Sequence, residues 1–349
     1  VNKNATTFEL TDSNDFKIKM LNWANRFSIF CLLDNQQYSF TTPAFECLLA
    51  VGCKKNISLQ YGNAFEQLQQ FYKSEKKQWL FGHLGYDLKN EVEKLQSNNV
   101  DGIGFADAHF FVPEIIVELT QNHVNITCDE NAELHFNAIQ SEPSIINEIT
   151  QEVKIKNRIS KQDYLTAIHK LQQHILHGDC YEINFCQEFF AENAAINPIQ
   201  VYQKLITLSP NPFAALYKVH DNYCICASPE RYLKKEGNKI FSQPIKGTSK
   251  RDLLNIKNDL KNKNFLSASE KEKSENVMVV DLVRNDLSKV CVEGTVQVDE
   301  LFGVYSFPQV HQMISTISGE LKKDLSWIDA VKATFPMGSM TGAPKKRVM

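Results

Sequence analysis

Arg231-Tyr232-Leu233-Lys234-Lys235-Glu236-Gly237-Asn238-Lys239-Ile240-Phe241 is the stretch that decides the fold class. Two strand-forming runs flank Glu236-Gly237-Asn238, a turn signal, so the stretch predicts an antiparallel hairpin. Tyr223 to Ser228 precedes it as a further apolar strand, with Cys224 and Cys226 two apart and so on one face. Gln243-Pro244-Ile245-Lys246-Gly247-Thr248 follows as a strand end punctuated by proline and glycine. Farther upstream, Ser160 caps a helix, with Asp163 three residues on. Tyr164, Ile168, Leu171 and Ile175 repeat at helical spacing, and Gly178 ends that helix. Cys180 to Phe190 alternates, with Tyr181, Ile183, Phe185 and Phe189 opposite Glu182, Asn184 and Glu188, which predicts a strand. Ser269-x-x-Glu272 is a capping-box pattern opening a helix to about Val290. Phe27 to Leu33 reads as a buried strand, and Gln78 to Asp87 as another that breaks at glycines. Strands come in runs with helices grouped between them. The expected class is therefore α+β rather than a doubly wound sheet. Residues 138–157, polar and containing Pro143, read as a linker or an excursion.

Composition narrows the function classes. The 349 residues are 43% hydrophobic and 23% charged, enough for a sizeable core. Net charge is −3, which gives no electrostatic reason to expect nucleic acid or an anionic membrane as partner. There is no apolar run long enough to span a bilayer, and Val1-Asn2-Lys3-Asn4 lacks the apolar stretch of a signal peptide. Nine scattered cysteines without a C-x-x-C pair argue against a zinc ribbon and for reduced, buried thiols in the cytoplasm.

Five features carry possible chemistry. Glu272 and Glu275 are i, i+3 on one helix face. Two carboxylates so close repel unless a cation such as magnesium neutralises them, or unless they simply face solvent beside Lys271 and Lys273. Lys246, inside an apolar strand end, is either a desolvated amine with nucleophilic character or a snorkelling surface lysine. A hairpin centred near 237 makes paired positions sum to about 474. Glu230 then opposes 244 and lies diagonal to Lys246, as acid beside nucleophile or as an ordinary cross-strand ion pair. Gly338-Ser339-Met340-Thr341-Gly342-Ala343-Pro344 is either an anion cradle of backbone N–H groups or a plain helix start. It is not a Walker A loop, because Ala343-Pro344 follows the second glycine. His174 and His177, also i, i+3, have no third ligand nearby and read as exposed.

Five motifs in this order resemble the chorismate-utilising enzymes, most closely their aminodeoxychorismate synthase (para-aminobenzoate synthase) component I branch. They are Gly178-Asp179-Cys180-Tyr181-Glu182-Ile183-Asn184, Ser228-Pro229-Glu230-Arg231, Pro244-Ile245-Lys246-Gly247-Thr248, Glu275-Asn276 through Asn285-Asp286-Leu287, and Phe335-Pro336 through Pro344-Lys345. Gly85-Tyr86-Asp87-Leu88-Lys89-Asn90 resembles the N-terminal region of the same component, and Leu32-Leu33-Asp34-Asn35 loosely resembles its tryptophan-binding stretch.

The resemblance implies an anthranilate synthase component I-like sandwich of two antiparallel sheets with helices outside. It implies an N-terminal region over 1–140 and a chorismate-binding catalytic region over 158–349, together forming one large unit. By that likeness the chain runs to about 430 residues, so 158–349 is expected to be C-terminally incomplete, and the second metal glutamate and further carboxylate ligands lie past Met349.

The implied roles are Lys246 as nucleophile at ring carbon 2 and Glu230 as general acid toward the hydroxyl at carbon 4. Glu275, supported by Glu272, grips magnesium, and Gly247, Thr248, Gly338, Ser339, Thr341, Gly342 and Ala343 line the substrate site. The implied activity is transaminase-type amination of chorismate for para-aminobenzoate and folate synthesis, with ammonia from a separate glutamine amidotransferase subunit. Anthranilate branches carry alanine at the Lys246 position and a histidine where Gln312 stands, and isochorismate branches carry lysine at the Glu182 position. His311 is expected on the other face of its strand. The competing readings are anthranilate synthase component I and a catalytically inert chorismate-binding protein.

Overall fold

The computed structural model describes residues 5–38, 46–75, 78–145 and 151–349, so Val1–Asn4 and residues 146–150 of the expected linker lie outside the described residues. The chain divides into two compact units, 1–150 with 195–229 and 151–194 with 230–349.

The first unit is built on a seven-stranded sheet. Its strands run in the order Ala5–Glu9, His123–Cys128, Ile115–Leu119, Cys47–Val51, Ile29–Asp34, Phe213–Val219, Asn222–Ser228, and every pairing is antiparallel. The run from Phe27 to Leu33 is apolar at successive positions because both faces of its strand are covered. Phe30 and Leu32 pack with Phe16, Met20 and Leu21 of the Ser13–Ala24 helix, while Ile29 and Cys31 pack with Phe81, Phe111 and Tyr217. The last two strands correct the sequence-based boundary at 158. Phe213–Val219 pairs along its length with Ile29–Asp34, so residues 195–229 complete the first unit's sheet rather than the second's. The expected strand over Gln78 to Asp87 is confined to Phe81–Leu84, and a 3-10 turn takes over at Tyr86.

The second unit holds the predicted hairpin. Arg231–Glu236 and Lys239–Gln243 pair about a turn in which Gly237 has a φ of 57°. Lys239–Gln243 and Ile245–Lys250 both pair with the long strand Val310–Glu320, which also takes Gln297–Ser306. The Glu270–Ser288 helix lies on this sheet. Val279, Val280, Val283 and Leu287 recur at helical spacing and meet Ile240, Ile317 and Leu321. Ser269 caps that helix, its side chain accepting from the Glu272 N–H as its pattern predicts. Ser160 likewise caps Lys161–Leu176 through the Asp163 N–H at 3.1 Å, and Gly178 follows with a φ of 82°.

Two expectations are corrected here. Cys180 to Phe190 is not one strand but two short pieces, Glu182–Ile183 and Phe189–Phe190, because each finds a different partner, Gly342–Ala343 and Lys156–Asn157. All nine cysteines are free as expected, but Cys186 and Cys224 are exposed rather than buried.

Candidate functional site

The site in the second unit is organised by a bulge. Pro244 has no N–H to give a ladder, and the pairing of Ile245–Lys250 with Val310–Glu320 shifts register between Ile245 and Thr248. Gly247 sits in that shift with a φ of 93°, and a side-chain carbon there would lie 3.1 Å from Glu272 Oε2. Glycine therefore lets the strand bulge directly against the Glu272 carboxylate. The bulge also aims Lys246. Its Nζ donates to Glu182 Oε1, and both side chains are largely shielded from solvent. Lys246 is thus a shielded amine held in an ion pair, and it also lies near enough to Glu230 to act on its charge. Its ion pair is with a residue on another strand.

Glu230 lies close by. Its carboxyl accepts hydrogen bonds from the Ser339 hydroxyl and the Ile245 N–H, and Lys246 is near enough to act on its charge. Burial nevertheless wins and raises its pKa above the ordinary carboxylate value. That is the direction an acid needs if it is to hold its proton near neutrality.

The 338–343 segment docks on the same elements. Glu182–Ile183 pairs antiparallel with Gly342–Ala343, and a side-chain carbon on Gly342 (φ 132°) would fall 2.1 Å from the Glu182 carbonyl, so only glycine fits. Asn184 clamps the segment twice, through its Nδ2 to Ser339 O at 2.7 Å and its N–H to Thr341 O at 2.9 Å. Two of the amides expected to cradle an anion are engaged internally, Met340 N–H with Met337 O and Thr341 N–H with Gly338 O. The Thr341 hydroxyl also turns inward, to Gly338 O at 3.2 Å. Ser339 is the hydroxyl of this segment that reaches Glu230.

The carboxylate pair is placed by a buried anchor. Asn276 occupies a core position of the Glu270–Ser288 helix, accepts from the Ser315 hydroxyl and donates to Met313 O at 3.5 Å. Glu272 and Glu275 do share a face, since the Lys271 ammonium lies 3.7 Å from one and 3.5 Å from the other. The two carboxylates, Glu275 first, raise the Lys271 pKa. The two side chains offer hard oxygen donors of the kind magnesium takes, and here the exposed Lys271 is the cation beside them. Among the described residues, no group of three or more His, Cys, Asp or Glu side chains forms a complete set.

Of the predicted residues, the structure brings Lys246, Gly342 and Ala343 to Glu182, Ser339 to Glu230, and Gly247 against Glu272. Thr248 is exposed and pairs with Gln312. Gln312 Oε1 and Glu182 Oε2 are buried with no hydrogen-bond partner among the described residues. His311 points the other way, as alternation requires, to Ser306 at 2.9 Å and Asp259 at 3.1 Å. His174 and His177 are exposed. In the first unit, the Asp34 carboxylate is taken up by Lys17, by Gln36 and by the Tyr202 hydroxyl at 3.0 Å. Sequence reasoning quoted Asn184 and Asn276 without giving them a task. Asn276 carries a usable signal, being polar in phase with Val279, Val280, Val283 and Leu287.

Comparison with known proteins follows the same lines. The profile of a family described as chorismate binding enzyme matches residues 29–349. An anthranilate synthase component I-like protein of Synechocystis sp. is 34% identical over 277 residues, covering 78% of this chain and 57% of that protein. Aminodeoxychorismate synthase component 1 of Salmonella typhimurium is 32% identical over 271 residues, covering 77% and 59%. The chain thus spans a little under three fifths of the length of these relatives. The crystal structure of anthranilate synthase component I from Streptococcus pneumoniae superposes with a TM-score of 0.74 at 23% identity, covering 89% of this chain and 77% of the other. The expected α+β fold with antiparallel sheets is therefore the observed one.

Proposed function

The chain belongs to the chorismate-binding enzyme family, and on that premise we propose that it serves amination of chorismate to 4-amino-4-deoxychorismate. One observation carries this reading over its relatives: the amine of Lys246 meets the carboxylate of Glu182 beside the acid Glu230. In the proposed sequence, a proton passes from the Lys246 ammonium to Glu182, and the freed amine attacks ring carbon 2 as the bond from carbon 4 to its hydroxyl breaks. Glu230 gives its proton to that hydroxyl, which leaves as water. Ammonia then attacks carbon 4 and breaks the bond from carbon 2 to the lysine nitrogen. Glu182 returns its proton to the released amine, and the new ammonium at carbon 4 gives a proton back to Glu230.

Glu272 and Glu275 would hold magnesium. Bound there it supplies charge neutralisation for a substrate carboxylate. The 338–343 segment keeps Ser339 on Glu230. We attribute the ammonia to a glutamine amidotransferase subunit, in keeping with the "component 1" in a relative's name. Cytoplasmic residence and a role in folate synthesis belong to the same reading. Nine free cysteines suit a reducing compartment, and no helix among the described residues is long and apolar enough to cross a membrane.

The anthranilate alternative requires a residue to help eliminate pyruvate. Gln312 stands at that position, and an amide cannot shuttle a proton as imidazole does. Incubation with chorismate, ammonia and magnesium decides between the two: 4-amino-4-deoxychorismate supports the proposal, and anthranilate fluorescence overturns it. Unconsumed chorismate would favour the inert binding protein.

The metal reading makes its own forecast. Glu275→Gln removes one anionic ligand and is expected to raise the magnesium concentration for half-maximal activity by about tenfold or more. An unchanged magnesium titration removes Glu275 from the site.

A further inference from the structure

Residues 335–344 form the loop between the Trp327–Thr334 helix and the Lys345–Val348 helix, and the two ends of that loop meet at one ammonium. Lys345, the first residue after it, donates from Nζ to the carbonyl of Thr334, the last residue before it, at 3.0 Å. The same Nζ pairs with Asp286, a buried carboxylate near the end of the Glu270–Ser288 helix that carries Glu272 and Glu275 at its start. Thr334 is held from a third side, its hydroxyl 2.6 Å from the Tyr232 hydroxyl, two residues beyond Glu230. The neck of the loop is thereby tied to the elements that carry the acid and the metal carboxylates, apart from any contact at its tip.

The tip needs such a tie. Ser339 must meet Glu230, and Gly342–Ala343 must lie in register with Glu182–Ile183, where a slip of one residue would put a side chain into the space only Gly342 fits. A closed neck limits the conformations the loop can sample and so lowers the entropic cost of that one arrangement. We propose that Lys345 and Asp286 are positioning residues that staple the neck of the 335–344 loop and hold its tip in register over Glu182 and Glu230. The inference deepens the chorismate reading of this site and rests on it for its kinetic part.

The staple can be cut without unfolding the protein. In Lys345→Met, Asp286 keeps Lys289, whose Nζ donates to Oδ1 at 2.9 Å, so the buried carboxylate is not left unpaired. Lys345→Arg restores a cation at the neck. Hydrogen exchange of the intact protein, with no substrate present, is expected to speed up about tenfold or more at residues 338–343 in Lys345→Met and to return toward the original rate in Lys345→Arg. Steady-state assays are expected to show KM for chorismate raised about tenfold, with kcat reduced less than threefold. Exchange unchanged in Lys345→Met overturns the staple, as does a loss of kcat with KM unaltered. A wild-type protein that does not turn over chorismate at all overturns the functional reading instead. Exchange, measured without substrate, still decides the staple.

Discussion

Lys246→Ala is expected to abolish amination of chorismate, lowering the rate by roughly a thousandfold or more, while the protein stays folded. The size follows from the role. A nucleophile that forms and breaks a bond to ring carbon 2 has no substitute once its nitrogen is gone, and the remaining site can only bind and polarise. Rerouting of residual turnover toward another product is the accompanying expectation, because Glu230 and the carboxylate pair are untouched. The structural cost is modest but real. Glu182 Oε2 already lacks a partner among the described residues, and removal of Lys246 strips Oε1 of its donor as well. A partly buried carboxylate left unpaired costs about 1–3 kcal/mol. The double variant Lys246→Ala with Glu182→Gln removes that charge and is expected to recover part of the lost stability with no recovery of amination. Product analysis by chromatography, with thermal melting of each variant, checks both halves. Undiminished 4-amino-4-deoxychorismate from Lys246→Ala removes the nucleophile from the mechanism.

The partner of Lys246 also marks how far local sequence reaches. The hairpin about Gly237 was legible to within one residue of its register: Lys234, Lys235 and Glu236 face Phe241, Ile240 and Lys239, and past a register shift Arg231 faces Gln243. Extending the register arithmetic one strand further placed Lys246 near Glu230, where it does act on the Glu230 charge, but it did not give the ion pair with Glu182. Pro244 interrupts the ladder, and Ile245–Lys250 leaves the hairpin to pair with Val310–Glu320. Periodicity describes which face a residue takes on its own strand, not which distant strand will come beside it. Glu182 therefore could be assigned a face but not a partner, since its strand is two residues long and exists only because Gly342–Ala343 lies alongside. Glu272 and Glu275, by contrast, were readable as a shared face, because a helix fixes i, i+3 geometry without outside help. Lys345 and Asp286, drawn together by the loop between them, had no local signature at all.

Glu230→Gln is the second large expected effect, and its pH behaviour separates it from a folding defect. The amide is close to isosteric and can keep accepting from Ser339, but it has no acid proton to give. Loss of general acid catalysis to a poor leaving group is expected to cost about 10²- to 10⁴-fold in kcat. Stability should move the other way. Burial raises the Glu230 pKa in the folded protein, so between the unfolded and folded values the native state binds more protons than the unfolded one. The slope of unfolding free energy with pH is then negative, and an ionised Glu230 is a burden above its folded pKa. Glu230→Gln removes that burden, so its melting temperature at neutral pH is expected to be no lower than that of the unmodified protein. The activity of the unmodified protein should fall as pH rises through the folded pKa, where the acid loses its proton. Ser339 supplies the hydrogen bond that opposes the burial effect, so Ser339→Ala is expected to push the Glu230 pKa higher still and to carry the alkaline limb of the kcat profile to higher pH. A limb that stays in place in Ser339→Ala, or one that survives in Glu230→Gln, assigns the titrating acid to another residue.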